Sequence, residues 1–161
     1  MAAPKKLFDA QAFVAAAGDK GVLLGLDPGT KTIGVAISDV DRGLASPLTT
    51  IRRTKFSQDA AALADVVARE AVSGLVIGMP FNMDGTAGPR AQSVRAFRRT
   101  LAEHIDLPML FWDERLSSEA AGDALRDAGK TNRQREAMID AAAAAHILGD
   151  CLAHLRGLTN Q

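Results

Sequence analysis

Residues 22 to 38, Val-Leu-Leu-Gly-Leu-Asp-Pro-Gly-Thr-Lys-Thr-Ile-Gly-Val-Ala-Ile-Ser, decide the reading of the fold. The run Val22 to Leu26 is short, aliphatic and free of charge, the pattern of a strand buried on both faces of a sheet. Pro28-Gly29 break it. Ile33, Val35 and Ile37, alternating with small residues, then bring the chain back as a neighbouring strand, so the pair reads as a hairpin whose turn is longer than two residues. Asp27 closes the first strand. A carboxylate there is costly to desolvate unless a cation or hydrogen-bond donors meet it, which makes Asp27 a candidate metal ligand. Taken alone, it could equally organise the Pro-Gly-Thr turn through local hydrogen bonds.

Beyond the hairpin, Leu44 to Ile51 is a third strand, assigned to a sheet edge because Pro47 cannot donate to a ladder. Ala60, Leu63, Ala64, Val67 and Ala71 recur at helical spacing and predict an amphipathic helix over Phe56 to Ala71. Gly74 to Met79 is a short aliphatic strand that runs into a turn-rich loop, Pro80 to Pro89, the kind of strand-to-helix junction at which α/β sheets bind ligands. Val94, Phe97, Leu101 and Ile105 form the buried stripe of a helix over Arg90 to Ile105, with Arg95, Arg98 and Arg99 clustered on another face. Met109 to Trp112 is a fifth strand and ends in Asp113-Glu114-Arg115; Ser117 or Ser118 can cap a helix running to Ala128, with Gly129 as its stop. Lys130 to Arg135 reads as a basic loop. The last helix is expected from about Glu136 to Leu155, with Asp140 in its first turn and on the same stripe as Ala143, Ala144, Ile147, Leu148 and Cys151.

The order strand, strand, strand, helix, strand, helix, strand, helix, helix is an α/β arrangement that begins as a meander and ends in crossovers. A length of 161 residues suits one domain, read as residues 21 to 161 behind an extension of residues 1 to 20. The apolar fraction of 47% is that of a soluble protein, and no apolar stretch approaches the roughly 20 residues of a membrane span; a cytoplasmic location and no membrane partner are the expectation. The lone Cys151 excludes an intrachain disulfide and a cysteine-rich zinc site.

If the first, fourth and fifth strands lie side by side and parallel, Asp27 and Asp113-Glu114 reach the same sheet edge, and an inward Asp140 can join them. Carboxylates sharing a small site repel one another, and hard divalent cations resolve the conflict, Mg²⁺ or Mn²⁺ being the natural choice. Paired ions suit in-line displacement at phosphorus, which implies phosphodiester hydrolysis. Lys31, Arg95, Arg98, Arg99, Arg115, Arg133 and Arg135 are the candidates for holding a nucleic acid backbone. The equality of nineteen basic and nineteen acidic residues does not exclude such a partner, because charge distribution matters more than its sum.

Four blocks carry a resemblance: Gly25 to Ala36 (GLDPGTKTIGVA), Ile77 to Thr86 (IGMPFNMDGT), Asp113 to Ser118 (DERLSS) and Ile139 to Leu148 (IDAAAAAHIL). In this order and spacing they resemble the signature blocks of the YqgF family, also called RuvX, over roughly residues 22 to 155. The resemblance implies a ribonuclease H-like fold, here a mixed five-stranded sheet flanked by helices. It also implies a Mg²⁺- or Mn²⁺-dependent nuclease with a role in 5′-end maturation of precursor 16S ribosomal RNA. Structured RNA and ribosome precursor particles would then be the partners. Resolution of four-way DNA junctions is the alternative, as is a nucleic-acid-binding module without catalysis; the first would require a homodimer, whereas RNA cleavage is open to a monomer. Carried over, Asp27, the acid of Asp113-Glu114 and Asp140 would bind the metal. One departure stands out: some relatives place lysine just before the last acid, where this chain has Ala137-Met138-Ile139 and Arg135 is the nearest cation.

Overall fold

The computed structural model describes residues 8–114 and 132–159. Its elements are α1 (Ala10–Ala17), β1 (Val22–Pro28), β2 (Thr32–Ser38), β3 (Ala45–Arg52), α2 (Phe56–Glu70), β4 (Val72–Met79), α3 (Pro89–Ala102), β5 (Met109–Asp113) and α4 (Asn132–Thr159). The five strands form one mixed sheet in the order β3-β2-β1-β4-β5, with the first three antiparallel and β1, β4 and β5 parallel. The strand holding Pro47 lies at the edge, as expected from its missing donor.

Alternation along β1 divides the core into two layers. Leu24 and Leu26 join Leu63 of α2 and Val94, Phe97 and Leu101 of α3 on one face. Leu23 joins Phe13 of α1 and Ile147, Leu148, Cys151 and Leu152 of α4 on the other. By the same alternation Asp27 shares the α4 face with Leu23 and Gly25. Close packing of α4 depends on glycine in the strands beneath it: a Cβ at Gly25 would stand 2.7 Å from the Leu148 Cβ, and one at Gly34 would overlap the main-chain carbonyl of Asp140.

The described part of the amino-terminal extension is docked rather than free. Phe13 packs over Gly74, where a Cβ would come within 2.8 Å of its ring. Arg42, buried in the β2–β3 turn, donates to the carbonyls of Gly18, Lys20 and Gly21 and so ties the end of α1 to the sheet.

Two expectations are corrected by α4. It begins at Asn132, so residues 132–135 are helical rather than loop, and Asp140 lies more than two turns inside the helix rather than in its first turn. Residues 132–136 contain no Gly or Pro to delay nucleation, and the Thr50 hydroxyl donates to the Ala137 carbonyl at 2.6 Å, fixing this end of the helix to β3. The helix also carries a 22-residue stretch, Ala137–Leu158, holding an 18-residue window with a mean hydropathy of 1.2, long and apolar enough by composition to cross a membrane, where none was expected. Here its apolar stripe is the lining of the second core layer. Arg115, Ser117, Ser118, the helix expected up to Ala128 with its Gly129 stop, and Lys130-Thr131 lie outside the described residues.

Candidate active site

The parallel registers align Leu26 with Ile77, Ile77 with Phe111 and Met79 with Asp113, while the antiparallel register pairs Asp27 with Gly34. These pairings bring the ends of β1 and β5 to one edge of the sheet. Glu114, the first residue past β5, turns its side chain toward the α4 face. It has room there because residue 78 of β4 is glycine; a Cβ at that position would stand 2.7 Å from Glu114 Oε1 and 2.9 Å from Ile147 Cδ1.

The Glu114 and Asp27 carboxyls are hydrogen-bonded to each other. Two carboxylates cannot make that contact without a proton between them. Burial, the bond to Asp27 and the negative charges of Asp27 and Asp113 push Glu114 up to about 8, against a smaller opposing pull from Arg90. Burial also raises Asp27, while the hydrogen bond from Glu114 and the Arg90 charge lower it and the Asp140 charge raises it. At neutral pH the raised Glu114 therefore keeps its proton and donates it toward Asp27. Glu114 Oε1 is enclosed and makes no hydrogen bond among the described residues.

Asp140 completes the group from the helix side. Its main chain lies on Gly34, the residue paired with Asp27, and its Oδ2 accepts a 2.6 Å hydrogen bond from the Thr32 hydroxyl. Asp113 is half-buried, engaged in contacts of its own, and acts on Glu114 through its charge. Of the two neighbouring acids, Glu114 is thus the one whose carboxyl meets Asp27. Among the described residues no three acidic, histidine or cysteine side chains have closed on a single point; Asp27 and Glu114 face each other while Asp140 is held by Thr32. The donor set is nevertheless one of hard carboxylate oxygens, one of them, Glu114 Oε1, buried and unpartnered among the described residues, and it suits a hard divalent cation.

The expected cations are more dispersed. Lys31 is exposed in the β1–β2 turn, Arg99 is exposed, and Arg95 and Arg98 are half-buried, Arg95 with its Nε enclosed and unpartnered among the described residues. Arg133 and Arg135 fall in the first turn of α4, with side chains outside the description, and Arg115 is outside it altogether. Two contributors were not anticipated. Arg90, whose charge bears on both Asp27 and Glu114, sits one turn before Val94 on the stripe already read as Val94, Phe97 and Leu101, so extending that stripe would have found it. Thr32 carries no comparable signal, since its role depends on the approach of α4.

A family model described as "RuvX: Holliday junction resolvase" matches residues 21–154, a span that contains all four acids. The chain belongs to the RuvX family. It is 53% identical over 148 residues to a Paracoccus denitrificans protein, covering 92% of this chain and 94% of that one, and 53% identical over 146 residues to a Rhodobacter capsulatus protein, covering 89% and 92%. Both relatives bear the name "Putative pre-16S rRNA nuclease". Among solved structures, Thermus thermophilus RuvC in complex with a Holliday junction substrate superposes with a TM-score of 0.54 at 16% identity, over 85% of this chain and 96% of that one. The RuvX chain thus has the RuvC-like form of the ribonuclease H fold.

Proposed function

We propose that this RuvX protein is a divalent-metal-dependent nuclease that hydrolyses phosphodiester bonds in the 5′-end maturation of precursor 16S ribosomal RNA, acting in the cytoplasm on ribosome precursor particles. The observation that carries the chemistry is the meeting of Asp27 and Glu114 beside Asp140 at one sheet edge. The substrate rests on the names of relatives about half identical over nearly the whole chain.

Asp27, Glu114 and Asp140 would hold Mg²⁺ or Mn²⁺, with Asp113 adding negative charge beside Glu114. When bound, such ions offset phosphate charge and supply the activation of the attacking water and the stabilisation of the leaving oxygen. The chain's own residues do the positioning. Thr32 holds Asp140, Gly34 and Gly78 let α4 and Glu114 come close, and the Arg90 guanidinium draws a polyanionic strand toward an edge that would otherwise repel it. The proton on the Asp27 and Glu114 pair must leave before both carboxylates can ligate a cation.

The test is a cleavage assay on a precursor 16S fragment, a four-way DNA junction and plain duplexes, each with Mg²⁺, Mn²⁺ or EDTA. Metal-dependent cutting of the RNA in preference to the junction is expected. Paired symmetric cuts in the junction by a stable dimer, with the RNA untouched, would replace this reading by junction resolution.

A further inference from the structure

A cleft opens on the opposite side of the sheet edge from the carboxylates. It is lined by Pro28, Gly29 and Thr30 at the end of β1 and its turn, by Arg53, and by Arg90, Ser93, Val94 and Phe97 of α3. The α3 residues fall at i, i+3, i+4 and i+7, a single stripe of the helix. Pro28 follows Asp27 directly, with Cα atoms about 3.8 Å apart across a trans peptide, so the cleft and the acids are neighbours separated by the thickness of one strand.

The two arginines are held differently. Arg53 lies 5.5 Å from the centre of the Phe97 ring and donates from one terminal nitrogen to the Gly29 carbonyl at 2.6 Å, which aligns the guanidinium along the cleft; the rest of its fork has no partner among the described residues. Arg90 is exposed and makes no hydrogen bond or direct ion pair among the described residues. Two guanidinium groups lining one cleft without a carboxylate between them make a positive concavity, and a planar fork matches phosphate oxygens. The adjoining end of α3, capped by Gly88 without a side-chain acceptor, adds main-chain N–H groups of the same sign.

We propose that this cleft binds the phosphate of the nucleotide next to the bond being cut, with Arg53 and Arg90 as its donors. The inference rests on the nuclease reading for its substrate; Arg90, whose charge also bears on Asp27 and Glu114, is shared between the cleft and the carboxylate edge, and Arg53 is the donor that belongs to the cleft. A strand crossing the edge presents one phosphodiester to Asp27, Glu114 and Asp140 on the α4 side and the next to the arginine cleft on the α3 side. The cleft therefore fixes the register of the strand, and it takes the flexible backbone of an unpaired strand more readily than a duplex.

The test is binding of a single-stranded RNA tetranucleotide, with and without a 5′-phosphate, by calorimetry in EDTA at several salt concentrations. Under those conditions the acids repel phosphate, so any phosphate preference reports the cleft. The intact protein should prefer the phosphorylated form by about tenfold, as charge-assisted hydrogen bonds allow. R90Q, which removes a side chain with no described bond, should abolish most of the preference and reduce the salt slope by about 0.7. R53K keeps a donor for Gly29 and should weaken the preference partially. No phosphate preference in the intact protein, or an unchanged preference in R90Q with an unchanged melting temperature, overturns the proposal. Phosphate preference without any metal-dependent cleavage would leave the cleft standing and remove the nuclease reading; cleavage without the preference would do the reverse.

Discussion

Replacing Glu114 by Gln separates stability from activity. In the folded protein Glu114 is pushed up to about 8, from an ordinary 4.5, chiefly by burial and by its bond to Asp27. The sign follows from linkage. Below about pH 4.5 both folded and unfolded chains carry the proton and nothing is lost. As pH rises toward 8 the unfolded chain releases it and the folded chain does not, so stability falls across that window and levels off above it. At 1.36 kcal/mol per pH unit the ceiling is about 5 kcal/mol. Because Glu114 is only half-buried, solvent screening brings a realistic value to about 2 kcal/mol, or about 4 to 8 °C in melting temperature for a chain of this size. Gln cannot ionise, and its amide can donate to Asp27 as the acid proton does. Melting followed by circular dichroism in EDTA should therefore show E114Q close to the parent at about pH 5 and more stable at about pH 8.5, while its Mn²⁺-dependent cleavage is lost. A variant less stable than the parent at the alkaline end, or a difference that does not change with pH, would refute the shared-proton arrangement.

Gly34→Ala drives a methyl into the Asp140 carbonyl; overpacking of this kind costs about 1 to 3 kcal/mol, and both the melting temperature and the cleavage rate should fall. Thr32→Val keeps the shape but removes the 2.6 Å donor to Asp140. Stability should drop by about 1 kcal/mol, and Mn²⁺ affinity measured by calorimetry should weaken by about 10- to 100-fold. Arg42→Met strips the carbonyls of Gly18, Lys20 and Gly21 of their buried donor; a loss of about 2 to 4 kcal/mol is expected in chemical denaturation, with metal affinity at the distant edge unchanged.

The sheet was legible because its strands are short aliphatic runs with few alternatives. Val22 to Leu26 and Gly74 to Met79 are buried on both faces, and Pro47 marks the edge. The parallel placement of β1, β4 and β5 followed from crossover rules and put Asp27 beside Asp113-Glu114. Sequence could not choose between Asp113 and Glu114, because the choice depends on the chain leaving β5 just where Gly78 opens space for the second acid. Nor could it show that α4 starts at Asn132, since polar residues with good helix propensity look alike in a loop and in a first turn. The arginine cluster at 95, 98 and 99 drew attention by its density. Arg90, isolated in sequence, is the one whose charge reaches the carboxylates, because helical periodicity sets it on the core stripe at the end nearest the sheet edge.

The decisive measurement is cleavage of a precursor 16S fragment by the intact protein and by Asp27→Asn, each with Mn²⁺ and with EDTA. Asp27 touches Glu114, feels the charge of Asp140 and lies at the junction of the three elements that build the site. The intact protein should cut only with the metal present, and D27N, melting within a few degrees of it, should lose about two or more orders of magnitude in rate. Equal cutting by the two proteins, or undiminished cutting in EDTA, would contradict a metal-dependent nuclease centred on Asp27.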